Sequence, residues 1–426
     1  MTNYNTIGND LKRRILKFSD KFSIGLRKPE QKFVADMIYG IVASGDCLLT
    51  EIGRALKEDI ALKKTVERLG RQLSNFSEPE RDVLMKNYLT EAKQYMGDDT
   101  MILIDGSDVT KPCSPKMEDI GFVYDASKGK YAKGYWTMGA VALSQGSKQP
   151  IPVYESLYPC KKQGGMGSSA ETVKCLQYLR ENFDSSVPRV FDRGFDSGKT
   201  LQMLTEKDEK FILRVNQNRV VVCNGTRGYI NDIVREISCE RKLVFKSRAG
   251  NVSKCKIGMA QISLPHLKNI NLNLVICKKP GEAPLMLYTN LSESIESLAE
   301  RILKGYLMRW RIEEFYAFKK QVLQFEGFRV RGLTSIKSLD LLLTIAAGCI
   351  GFLCATPDEK ITVELIAISK RITKTARFLK NTKFYYYAVF DGVKLALASL
   401  RCGISRLFSS GKRNNQLCID GFEILG

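Results

Sequence analysis

The apolar positions of this chain change their period twice, and the predicted elements follow from those changes. Over roughly the first ninety residues they recur at helical spacing. Ile52 and Leu56 lie one turn apart; after Glu58-Asp59 a second helix places Leu62, Val66, Leu69 and Leu73 on one face. The other face of that helix carries Lys64, Arg68 and Arg71. A short helix, a turn and a basic amphipathic helix are what a helix-turn-helix DNA reader needs; a solvated bundle face gives the same pattern. From Met101 the pattern becomes that of strands. Met101 to Ile104 is a short apolar run meeting a loop at Asp105-Gly106. Phe122–Tyr124, Tyr135–Leu143 and Ile151–Tyr154 predict further strands, the last either separate or an extension of the one before. Ser168-Ser169-Ala170-Glu171 has capping-box form and opens a helix running to about Asn182. Arg189–Phe191 is a strand ending at Asp192, Ser197–Leu204 is helical with Asp196 suited to cap it, and Phe211–Val215 is a strand. The Gly164-Gly165-Met166-Gly167 loop lacks the Gly-Lys-Ser/Thr ending of a phosphate cradle and reads as a turn.

Strand-like runs then fill Val220–Cys223, Leu243–Lys246, Cys255–Ile262, Leu272–Cys277 and Leu285–Tyr288, and helical spacing returns from Ser294 to the end. The uncharged run between Asp340 and Asp358 is shorter than the ~20 residues of a membrane span and predicts a buried helix, with no membrane partner. The aromatic tract Lys383-Phe-Tyr-Tyr-Tyr387 predicts core. Three strands, a helix, then strand, helix and strand is the order of an RNase H-like core. The expected fold class is therefore mixed α/β: an RNase H-like catalytic core interrupted by a β-rich insertion, with helical N-terminal and C-terminal regions. The boundaries that follow are 1–96 for a helical DNA-binding region and 97–217 for the first part of the core. The insertion takes 218–290, the rest of the core 291–334, and a helical region suited to dimerisation 335–426.

Composition narrows the chemistry. The 426 residues hold 66 Lys plus Arg against 46 Asp plus Glu, a net charge of +20 that suits a polyanionic partner such as DNA. With a single histidine, His266, mechanisms built on a histidine base or a histidine-ligated metal have little to draw on, so any catalysis falls to carboxylates. The 12 cysteines show no metal-site spacing, which points away from zinc and disulfides and towards a reducing cytoplasm.

The most informative stretch is Tyr306 to Lys320. On a helix at about 100° per residue, Arg309, Glu313 and Lys320 fall at about −60°, −20° and −40° from Tyr306. A carboxylate flanked by an aromatic, an arginine and a lysine makes sense facing DNA and a metal: Glu313 on the ion, Arg309 and Lys320 on phosphates, Tyr306 on sugar or base. Two acids end predicted strands, Asp105 (with Asp108 as its competitor) and Asp192. Three carboxylates are the donor set that two Mg²⁺ or Mn²⁺ ions use for phosphodiester cleavage, without histidine or cysteine.

The spacing Tyr306-x2-Arg309-x3-Glu313-x6-Lys320 resembles the YREK signature of DDE transposases in bacterial insertion-sequence family four, the Tn-five-like group. The strings Glu293 to Ala299 and Arg309 to Phe315 resemble that group too. Ile104-Asp105-Gly106-Ser107 resembles its first-aspartate motif and Phe191 to Ser197 its second, so the likeness spans about residues 100–325. The resemblance implies cut-and-paste transposition: cleavage at the element ends, commonly through a hairpin, then strand transfer into target DNA. It implies Asp105, Asp192 and Glu313 as catalytic ligands of two Mg²⁺ or Mn²⁺ ions. Tyr306, Arg309 and Lys320 would grip the DNA end, with Lys64, Arg68 and Arg71 as further DNA contacts. Partners would be double-stranded DNA at terminal inverted repeats and target sites, and a second copy in a synaptic homodimer, in a bacterial cytoplasm near the nucleoid. An RNase H-like nuclease, or a transposase-derived DNA-binding protein without transposition activity, is the alternative. The family's insertion-domain tryptophan has no counterpart: the two tryptophans are Trp136 and Trp310, and its place holds Leu287 beside Tyr288.

Overall fold

The helical spacing of the N-terminal residues is realised as α1 (Tyr4–Phe22), α2 (Lys28–Ser44), α3 (Leu49–Leu56), α4 (Leu62–Asn75) and α5 (Glu78–Ala92). The structure is a computed structural model describing residues 4–404 apart from 115, 126–127, 145, 160–167, 247–251, 266, 268–269 and 293–294. The glycine loop at 164–167 and His266 lie outside the described residues. Local sequence sets several boundaries. At α5, Ser77 and Glu80 form a capping box with a proline in the first turn, which satisfies amides that a helix start leaves unpaired.

After α5 come β1 (Thr100–Thr110), β2 (Gly121–Asp125), β3 (Lys130–Ser144), β4 (Ile151–Tyr158), α6 (Ser168–Asn182), β5 (Arg189–Phe191), α7 (Gly198–Glu206) and β6 (Phe211–Arg214). Next come β7 (Val220–Cys223), β8 (Thr226–Tyr229), α8 (Ile230–Glu236), β9 (Arg241–Lys246), β10 (Val252–Ser263), β11 (Asn271–Lys278) and β12 (Leu285–Thr289). The chain closes with α9 (Ile295–Leu307), α10 (Trp310–Gln321), α11 (Leu333–Ala355), α12 (Lys360–Lys370), α13 (Ala376–Asn381) and α14 (Tyr386–Ala398). The fold is mixed α/β around a large mixed sheet.

The strands join one sheet in the order β2-β3-β1-β5-β6-β12-β11-β10-β7-β8, with β4 also on β3 and β9 also on β10. At its centre β1, β5 and β6 run parallel, pairing Ile104 with Phe191 and Phe191 with Leu213. Residues Met101–Ile104, Val190–Phe191 and Phe211–Leu213 are all buried, the continuous apolar run of strands covered on both faces.

Three sequence expectations differ from what is observed, and one left open is settled. β1 does not stop at Asp105: its polar half, to Thr110, stays paired with β3, because backbone pairing needs no apolar pattern. Ile151–Tyr158 is a strand of its own, antiparallel to β3. Ser197, not Asp196, caps α7 by accepting from the Thr200 amide, while Asp196 is buried and bound to Arg219 and the Asn216 amide. The stretch 218–290 contains β8 and α8, which apolar spacing did not reveal, and its strands extend the central sheet through the β12–β6 pairing.

The apolar helix α11 is 23 residues long, enough by length and composition to cross a membrane, and 89% of its most apolar stretch is buried in the protein. It packs against α2, α4, α5, α14 and β4, tying the N-terminal helices to the sheet. Tyr386 of the aromatic tract is fully buried against Phe315, Phe318 and Phe384.

A candidate carboxylate active site

Two acids reach the same place because their strands are neighbours. Ile104 and Phe191 are register partners in the parallel β1–β5 pair, so Asp105 and Asp192 follow them side by side at the carboxyl end of β5, where parallel sheets open into clefts. Glu313 comes from α10, whose first turn lies over β1. Its seat depends on Gly139, the β3 partner of Asp105. A Cβ there would lie 2.5 Å from the Tyr316 hydroxyl, and through that gap Tyr316 donates a 2.7 Å hydrogen bond to the Asp105 backbone oxygen. One strand further, Glu155 pairs with Gly139 and meets Lys319 of the same helix, which is fully buried and also bound to Asp340 and Thr344. Tyr316, Lys319 and Gly139 are thus the residues that fix the helix carrying Glu313, and no motif pointed to them.

The arginine links the acids. Arg309 Nη1 donates to Asp105 Oδ2 at 2.7 Å and Nη2 to Glu313 Oε1 at 2.6 Å. Tyr306 donates to Asp192 Oδ1 at 2.9 Å, and Arg214, absent from the sequence-based set, approaches the same oxygen at 3.6 Å. These residues do not share one straight helix. α9 ends at Leu307, and a tight turn with bonds from Arg309 N to Tyr306 O (2.9 Å) and Ile312 N to Arg309 O (3.1 Å) leads into α10. The stripe expected of a single helix therefore forms across a break, and only Tyr306, Arg309 and Glu313 converge. Lys320 instead faces Asp108 at 3.4 Å and Glu326 at 3.7 Å. Asp108 is thereby paired away from the cluster that holds Asp105.

The environment splits the two aspartates. Burial pushes the Asp105 carboxyl up to about 6; Arg309 pulls it down, and Asp192 and Glu313 add to the rise. Burial also opposes ionisation of Asp192, but the Arg193 amide, Arg309, Tyr306 and Arg214 outweigh it and hold that carboxyl below the usual range. Tyr306 is pushed up to about 12 by burial and by Asp192.

The donor chemistry fits a hard divalent cation, since all three acids offer carboxylate oxygens and the Arg309 guanidinium already stands as a shared cation between two of them. Among the described residues, however, no three His, Cys, Asp or Glu side chains converge closely enough to hold a metal ion.

The basic face of α4 is divided. Lys64 and Arg71 are exposed, with Lys64 near Glu67 at 3.6 Å. Arg68, expected on DNA, turns inward to Asp36 at 2.7 Å and Glu58 at 2.8 Å, joining Lys32 in a cluster around the fully buried Asp36. Lys64→Ala with Arg71→Ala is expected to weaken DNA binding several-fold in a gel shift and leave the melting temperature unchanged. Arg68→Ala is expected to lower stability by about 2–3 kcal/mol in urea titration. Equal melting temperatures for wild type and Arg68→Ala would return that residue to the DNA face. Leu287 and Tyr288 are both fully buried, so neither offers a surface for a base.

The structure is a mixed α/β protein in which an arginine bridges two carboxylates, Asp105 and Glu313, with Asp192 on the adjacent parallel strand. No protein-family model matches the chain. Among solved structures it is similar to the cryo-EM structure of a piggyBac transposase synaptic complex with hairpin DNA, at 10% sequence identity and a TM-score of 0.44, covering 96% of this chain and 85% of that one. The chemistry of the site rests on the residues themselves.

Proposed function

We propose that this chain is a DNA transposase of the DDE kind, which cuts DNA at element ends and joins them to target DNA. The observation that supports the reading is the Arg309 bridge between Asp105 and Glu313, with Asp192 following the neighbouring parallel strand. The strand order β4-β3-β1-β5-β6, antiparallel among the first three and parallel among the last three, supports an RNase H-like core. The +20 charge supports a DNA partner.

Asp105, Asp192 and Glu313 would hold divalent Mg²⁺ or Mn²⁺. Such ions, when bound, activate a water or hydroxyl nucleophile and stabilise the leaving oxygen. The chain's own residues do the rest. Arg309 holds Asp105 and Glu313 in place with its planar fork, and Arg214, beside Asp192, would hold a phosphate. Tyr306, itself buried, fixes the Asp192 carboxylate through its hydroxyl. Lys320 with Lys64 and Arg71 would extend contact along duplex DNA, as a synaptic homodimer on two terminal inverted repeats requires.

The test is cleavage of a linear duplex carrying the DNA that flanks the gene. Wild-type protein in Mg²⁺ or Mn²⁺ is expected to cut at the outer ends of inverted repeats there, and to join those ends to a supercoiled plasmid. Binding of those ends without cutting in either metal would defeat the proposal.

A further inference from the structure

β2 and β3 form a ribbon at the edge of the sheet whose outer face breaks the usual alternation of strands. Its inner side chains are packed. Val123 is fully buried, a Cβ at Gly134 would lie 2.8 Å from it, and Asp125 is buried and bound to Lys128 at 2.8 Å. An outer face that meets water is ordinarily polar. Here it carries Phe122, Tyr124 and Tyr131, which are 59%, 45% and 73% exposed. Six aromatic side chains are exposed among the described residues, and three of them stand on this ribbon, so the clustering is local. The strand register gathers them: Tyr124 is the cross-strand partner of Tyr131, with ring centres 5.3 Å apart, and Phe122 is the partner of Lys133.

Alternation from Gly139, the β3 partner of Asp105, puts Lys133 and Tyr131 on the sheet side that carries that acid. At about 3.3 Å per residue, Tyr131 stands roughly 26 Å along β3 from it. Rings alone would suit an apolar protein partner, but this face is bordered by cations. Between Gly121 and Gly134 the chain has Lys128, Lys130 and Lys133 against a single acid, Asp125, which is buried and paired. Aromatic rings take bases by stacking and lysines take the phosphates between them, whereas a duplex keeps its base faces stacked on one another.

We propose that the β2–β3 ribbon binds an unpaired DNA strand, with Phe122, Tyr124 and Tyr131 stacking on bases and Lys130 and Lys133 on phosphates. That the strand is DNA rests on the reading above; the stacking surface itself does not depend on the carboxylates.

The experiment is fluorescence anisotropy of the full chain with a short labelled strand of mixed sequence and with the same sequence as duplex, each over a salt series. Y124A/Y131A is expected to weaken single-strand binding about tenfold or more, as the loss of stacked bases does, and to leave duplex binding and the melting temperature unchanged. Y124F/Y131F should bind as wild type does. K130Q/K133Q should flatten the slope of log affinity against log salt by about 1.4, two phosphates at about 0.7 each. Equal single-strand affinity of wild type and Y124A/Y131A would overturn the proposal, as would an equal loss for strand and duplex. Wild-type binding of duplex but not of single strand would overturn it and leave the DNA reading standing; binding of neither would overturn both. A dimer in sedimentation velocity that Y124A/Y131A dissolves, with single-strand affinity unchanged, would make this face a contact between copies instead. If Y124A/Y131A does not fold, Y124L/Y131L decides, because it keeps apolar area without a ring to stack: wild-type affinity in that variant overturns the proposal.

Discussion

Asp105→Asn, Asp192→Asn and Glu313→Gln are each expected to cut end cleavage by roughly 10³-fold or more while end binding persists, because groups that act as a unit fail together. Each change keeps shape and removes one charge from a cluster that Arg309 and Tyr306 tie together. The variants should separate in stability, which gives a second reading of the same site. Asp105 has its folded pKa raised to about 6 from an ordinary 3.8, so its ionised form is disfavoured in the folded state and it costs stability as the pH rises through that window. Asp105→Asn should therefore melt higher than wild type at pH 8, and the gain should shrink as the pH falls below about 6. Asp192 has its folded pKa lowered, so it contributes stability above its unfolded pKa. Asp192→Asn should melt lower at pH 8. Full cleavage by any of the three variants in Mg²⁺ sinks its assignment, and a higher melting temperature for Asp192→Asn would contradict the charge arrangement.

The second large effect is expected at Lys319, whose ammonium bonds Glu155, Asp340 and Thr344 and none of the three acids. Its ammonium is fully buried between Glu155 and Asp340, themselves fully buried, and is also bound to Thr344. Lys319→Met leaves two carboxylates in a dry site without their cation, at an expected cost of about 3–5 kcal/mol in urea unfolding. Adding Glu155→Gln and Asp340→Asn should recover most of it, because the loss comes from uncompensated charge rather than lost volume. In wild type, burial lifts Glu155 from 4.5 to about 7, so the folded state binds more protons than the unfolded state between those values. This group's contribution to stability falls as the pH rises from about 4.5 to 7, and Glu155→Gln should flatten that slope. A Lys319→Met protein as stable as wild type would show that the cluster is solvated and α10 is held by packing alone.

These predictions differ in how far the chain reveals them. The strands that carry Asp105 and Asp192 were legible because buried parallel strands must be apolar on both faces, which leaves a run such as Met101–Ile104 and an acid where burial ends. The arginine and glutamate were legible because Tyr306, Arg309 and Glu313 recur at helical spacing, even though the helix breaks between them. Arg68 shows the opposite case. Its spacing places it with Lys64 and Arg71, but a residue on the flank of a helix can turn towards a neighbour, and buried Asp36 draws it inward.

The sequence by itself determined the periods of the chain, hence its helices and most of its strands, and it determined which residue types were free to do chemistry. Periodicity reports how each segment meets water, which is a local property. Only the tertiary structure decided that 218–290 extends the central sheet, that Gly139 leaves the gap Tyr316 fills, and that Lys320 goes to Asp108 while Arg214 goes to Asp192. It alone placed Arg309 between Asp105 and Glu313. Those are contacts between residues up to 212 positions apart, set by strand pairing and charge compensation across the fold, and no local pattern encodes them.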